Sequence, residues 1–103
     1  MADQTTAVKT AKDFIDACRT NGITISDAWL FGSSAKGNAH EYSDIDLALV
    51  SDLFTHNFIE NNHKTALLNW KFPDIEVHHF NTNVFQQNDP FVNEIKQSGI
   101  KIF

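Results

Sequence analysis

Two short apolar runs and the polar residues between them limit what this chain can fold into. Ala28 to Phe31 reads as a buried strand that stops at Gly32-Ser33, a tight turn opening a short helix over Ser33 to Lys36. A second run, Ile45 to Val50, reads as another strand. After Asp46 it is apolar on both faces (Leu47, Ala48, Leu49, Val50), which predicts a place in the middle of a sheet. Asp44 and Asp46 stand at its start. Alternate strand residues share a face, so these two carboxylates lie on one side, roughly 7 Å apart by twice the rise per residue. Such a pair can hold hard cations. Gly32 allows a backbone to approach a ligand closely, and Ser33 with the free N–H groups of the next turn offers donors to an anion. The stretch therefore reads as a phosphate cradle beside a Mg2+ clamp, the pairing that chemistry on a nucleoside triphosphate needs.

The remaining elements follow from periodicity. Thr5 or Thr6 is expected to cap a first helix that runs to about Thr20, with Ala7, Val8, Ala11, Phe14, Ile15 and Cys18 on one face. Gly22 is its expected left-handed cap. The first strand region spans Ile23 to Phe31, and residues 38–43 read as a polar loop. Between Ser51 and Trp70 the residues Phe54, Phe58, Ile59, Ala66, Leu67 and Trp70 suggest one helix or two, with Asn61-Asn62 as a break. Pro73 closes that segment. Asp74 to Phe80 predicts a third strand, with Ile75, Val77 and His79 on one face and Glu76 and His78 on the other. Asn81 to Asp89 reads as a polar loop, Pro90 opens a last helix with Phe91, Ile95 and Val92 turned inward, and Gly99 ends it. Ile100 to Phe103 reads as a short closing strand.

Composition narrows the function. At 103 residues the chain reads as a single domain, 1–103. Eight Lys+Arg against thirteen Asp+Glu leave a net charge of −5, which argues against nucleic acid as a partner. Cys18 is the only cysteine, so no internal disulfide or cysteine metal site is expected, and its place on the apolar face reads as packing. The N-terminal residues show no apolar signal core and no run reaches membrane-spanning length, so no membrane role and a cytoplasmic setting are expected. Trp29 and Trp70 read as core residues. His78 shares the Glu76 face, where it could touch the site or serve as a hydrogen-bonded structural histidine; His79 faces away, so the two cannot readily ligate one ion.

With these residues in view, the chain resembles the minimal nucleotidyltransferases of the DNA polymerase beta superfamily. The signature is Gly32-Ser33, ten residues, then Asp44-Ile45-Asp46, flanked by Leu30-Phe31, Ala35-x-Gly37 and Ser43. Ile75-Glu76-Val77-His78-His79-Phe80 looks like the family's third-carboxylate strand, and Pro90-Phe91-Val92 with Gly99-Ile100 looks like its C-terminal end. The chain departs from the pattern at Ser34 and Lys36, where many relatives carry arginine, and at Glu76, where many carry Asp. Lys36 keeps a charge but loses the planar fork suited to phosphate.

The resemblance implies an α+β fold, a small mixed β-sheet packed by helices on one face. It implies Asp44, Asp46 and Glu76 as catalytic and metal-holding residues, with two Mg2+ ions roughly 3.5–4 Å apart. It implies Gly32, Ser33 and Lys36 as nucleotide-binding residues and ATP as substrate. It further implies the antitoxin half of a pair with a HEPN-domain toxin protein, onto whose tyrosine AMP is transferred, and a homo-oligomer is a further expectation. Two alternatives stand beside this: a weak or inactive antitoxin that neutralises by binding alone, and nucleotidyl transfer to a small molecule. The chain is short for the last, with no second domain to hold an acceptor.

Overall fold

The computed structural model describes residues 4–36 and 44–103, the side chains of Ser34 and Lys36 excepted. The polar loop expected over 38–43 and the helix end at Gly37-Asn38 lie outside the described residues. The elements are α1 (Gln4–Thr20), β1 (Asp27–Phe31), α2 (Ser33–Lys36), β2 (Ile45–Val50), α3 (Phe58–Lys71), β3 (Ile75–Phe80), α4 (Thr82–Phe85), α5 (Pro90–Ser98) and β4 (Ile100–Lys101). The strands form one mixed sheet in the order β3-β2-β1-β4. β1 runs antiparallel to β2 and to β4, while β2 and β3 are parallel. Parallel neighbours need a crossover, and α3 supplies it.

Side-chain alternation divides this sheet into two faces. Ala28, Leu30, Ile45, Leu47, Leu49 and Ile75 point to one face, where Ala7, Ala11, Phe14 and Cys18 of α1 and Leu68 of α3 meet them. Ala48 and Val50 point to the other, with Phe85, Val92 and Ile95, and with Trp29, Phe31 and Phe80 packed beside them. The two long helices thus lie together on one face, as expected, and the short α4 and α5 add cover to part of the second. Burial pushes the Cys18 thiol up to about 11, consistent with its packing role.

Several boundaries differ from the sequence reading. Thr5 and Thr6 lie inside α1, which begins at Gln4. Gly22 does close it, at φ 85°. β1 starts at Asp27; Ile23 and Ile25 are buried but lie outside the strand. Residues 81–89 are not all loop: Asn81 caps α4 by accepting from the Asn83 N–H. In α5, Val92 and Ile95 are buried as expected, but Phe91 is 45% exposed.

The largest correction concerns α3. It is one helix that runs through Asn61-Asn62 without a break. Its buried residues are Asn61, Thr65 and Leu68, spaced four and three apart. Asn61 is buried because it works for the preceding loop. Its Oδ1 accepts from the Thr55 N–H at 2.9 Å and its Nδ2 donates to the Thr55 carbonyl at 2.7 Å. Two of these three inward residues being polar, most of the helix's large apolar residues face out. Phe58, Ile59, Leu67 and Trp70 are 74%, 78%, 84% and 86% exposed, so Trp70 is not a core residue. Trp29 is half-buried against the second cluster, and its Nε1 donates to Asp27 at 3.0 Å.

Candidate active site

The polar residues gather at one end of the second face. In β2, Asp46 has the same parity as Ala48 and Val50, so it leaves the sheet on the side opposite α1 and α3. Its neighbour across the parallel ladder is Glu76, and across the antiparallel one Phe31. The residue after Phe31 is Gly32, at φ 72°. That backbone conformation suits glycine, and the space matters as much. A Cβ built on Gly32 would run into Oδ2 of Asp46 and lie 3.3 Å from its Cγ. The glycine therefore lets the turn and the carboxylate share one place. α2 begins at the next residue, Ser33.

Glu76 is exposed and Asp46 partly so. His78, two residues beyond Glu76, joins them: its Nε2 stands 3.3 Å from Asp46 Oδ1. One possible ligand atom from each of Asp46, Glu76 and His78 lies within 4.8 Å of the others. Asp44 is exposed just ahead of β2 and is not part of that close group. Beside Gly32 a cleft of about 160 Å³ opens toward α5, lined by Phe31, Phe91, Glu94, Ile95 and Ser98.

His79 points the other way. Its Nε2 is 2.8 Å from Thr65 Oγ1, and its ring stands edge-on to Phe54 with centroids 4.7 Å apart. Burial, then the neighbouring His78 and Lys64, pulls its pKa down to about 4. The two adjacent histidines thus serve opposite faces, as alternation requires.

The model of the nucleotidyltransferase domain matches residues 11–102. The chain belongs to that family. The matched span takes in the turn at Gly32, both aspartates and the Glu76 strand. No curated protein matches it. Solved structures with the same fold include a candidate nucleotidyltransferase from Sulfolobus solfataricus, at a TM-score of 0.62 and 17% identity, covering 95% of this chain and 80% of that one. A toxin-antitoxin crystallised with AMP-PNP aligns at a TM-score of 0.63 and 20% identity, covering 89% of this chain and 72% of that one. A mutant of the toxin-antitoxin MntA-HpeT aligns at 0.62 and 19% identity, with coverage of 89% and 72%.

For a nucleotidyltransferase domain, the donor set suits a divalent cation. Two carboxylates on adjacent strands and an imidazole converge, and the cradle is kept open by a residue without a Cβ. Of the residues singled out from sequence, Asp46 and Glu76 come together and Gly32 packs on Asp46. Ser33 starts α2, and the side chain of Lys36 lies outside the described residues. His78 is the one that sequence reasoning left undecided. Strand parity put it on the Glu76 face, but its contact with Asp46 depends on the β2–β3 register, which no local signal carries.

Proposed function

We propose that the chain is a Mg2+-dependent nucleotidyltransferase that moves AMP from ATP to a hydroxyl of a partner protein, as the antitoxin of a HEPN/MNT toxin–antitoxin pair. The observation that carries this reading is the register of Asp46 beside Glu76, with Asp46 packed on the Gly32 turn. Asp44, Asp46 and Glu76 would hold the two ions in this reading. Gly32, Ser33 and Lys36 take the triphosphate. Cations held there would neutralise phosphate charge and make the acceptor hydroxyl more acidic. The acceptor oxygen attacks the α-phosphorus in line, the bond from that phosphorus to the β-bridging oxygen breaks, and pyrophosphate leaves. Glu76 takes the proton from the acceptor.

Two things support a protein partner. Two of the structures sharing this fold are described as toxin–antitoxin systems, one of them with AMP-PNP. The exposed Ile59, Leu67 and Trp70 recur along one side of α3 and form an apolar stripe of the kind that meets other proteins. That stripe belongs to the helix on the face opposite the acids, which favours a second reading: neutralisation by complexation alone. Incubation with α-labelled ATP, Mg2+ and any HEPN-type protein encoded beside this chain separates the two. Label on the partner, lost with Asp46→Asn, is the expected result. A partner that binds and stays unlabelled rejects transfer and leaves complexation.

A further inference from the structure

The side chains around Asp46 are not all oxygen donors. His78 directs Nε2 at Asp46 Oδ1 from 3.3 Å, and both groups share a 4.8 Å neighbourhood with Glu76. The imidazole is held from two sides. Its ring stands edge-on to Phe31 with centroids 4.9 Å apart, and to Phe91 at 6.4 Å. Its side chain is 31% exposed and that of Asp46 27%. A nitrogen 3.3 Å from one carboxylate oxygen and within 4.8 Å of an oxygen of a second, on a ring walled by two phenylalanines, stands where a cation bound by those carboxylates would meet it. His79 provides the contrast, with its Nε2 engaged by the Thr65 hydroxyl inside the opposite core.

The geometry points to His78 as a nitrogen ligand in a mixed carboxylate–imidazole cation site with Asp46 and Glu76, one whose affinity for a first-row transition ion such as Mn2+ is raised relative to that for Mg2+. The inference rests on the reading of Asp46 and Glu76 as cation ligands. Mg2+ demands oxygen donors in near-octahedral order and keeps most of its waters. An imidazole nitrogen is a softer donor that adds more to the affinity for transition ions than for Mg2+. One such ligand in the set therefore shifts the balance between the two. It also accounts for a histidine on the polar side of a strand whose other polar-side residue at this end is the acid Glu76.

Electron spin-echo spectroscopy of the whole chain loaded with Mn2+ alone tests this. The wild type should show modulation from a directly bound 14N, absent in His78→Asn and in His78→Asp. Equilibrium titrations should show Mn2+ binding weakened on the order of tenfold by His78→Asn, while Mg2+ binding changes less than about twofold. His78→Asp, which restores an all-oxygen set, should keep Mn2+ bound but lower its affinity relative to that for Mg2+. Bound Mn2+ without nitrogen modulation, or modulation that survives both substitutions, overturns the inference and leaves the transferase reading intact. Mn2+ that fails to bind, or binds as well to Asp46→Asn and Glu76→Gln, removes the cation reading itself and the role of His78 with it.

Discussion

The two faces of the sheet are built from the same strands to opposite ends. On β2, Ile45, Leu47 and Leu49 close a core with α1 and α3, while Asp46, between the first two, opens onto the other side. On β3, Ile75 and Val77 join that core while Glu76 and His78 meet Asp46. One face has a 17-residue and a 14-residue helix over it; the other has α5 over part of its length and leaves the Asp46 end accessible. The period of two in a strand is what makes this economical: adjacent residues can serve stability and chemistry without sharing a neighbour. The closed face anchors the open one. The carboxylates sit on the central strand and its parallel neighbour, where ladder hydrogen bonds on both sides of β2 fix their spacing.

That division can be broken by substituting neighbours in the chain. Asp46→Asn should lower nucleotidyl transfer by about a thousandfold, the scale of several kcal/mol of transition-state charge stabilisation. The thermal midpoint should stay near that of the wild type. Leu47→Ala should do the reverse, costing about 2–5 kcal/mol of stability with the site's chemistry retained in the folded fraction. Activity assays beside thermal melts decide it; an Asp46→Asn protein that is strongly destabilised would show that the faces are not independent. Gly32→Ala tests the junction between them. The positive φ and the collision with Asp46 should together cost about 1–3 kcal/mol and displace the carboxylate, seen as weakened cation binding. Unchanged binding would mean that Asp46 can move without consequence.

A separate effect belongs to His79 on the closed face. Its pKa falls from 6.5 to about 4 on folding, so the unfolded chain takes up a proton first as pH drops. Stability from this group is complete above pH 6.5 and is lost progressively down to about pH 4. Urea midpoints at pH 7 and pH 4.5 should differ less in His79→Gln than in the wild type. An equal pH dependence in both would assign the acid sensitivity elsewhere.

Local chemistry made much of this legible. The turn at Gly32, the parity of β3 and the central place of β2 follow from glycine, alternation and an unbroken apolar run. α3 was not legible, because its inward residues were chosen for hydrogen bonds that only the folded chain supplies. Asn61 answers Thr55 and Thr65 answers His79, while Ile59, Leu67 and Trp70 face solvent. Counting apolar residues put the wrong side of that helix inward. The pairing of Asp46 with Glu76 and His78 across two strands was likewise beyond periodicity; the resemblance anticipated the first partner and left the second open.

The central claim is that Asp46 and Glu76 form one cation site beside the turn at Gly32. A crystal structure of the chain with Mg2+ and a non-hydrolysable ATP analogue tests it most directly. The account predicts a cation held between those two carboxylates, with the triphosphate over Gly32-Ser33. Nucleotide bound elsewhere, with no cation between Asp46 and Glu76, would contradict it.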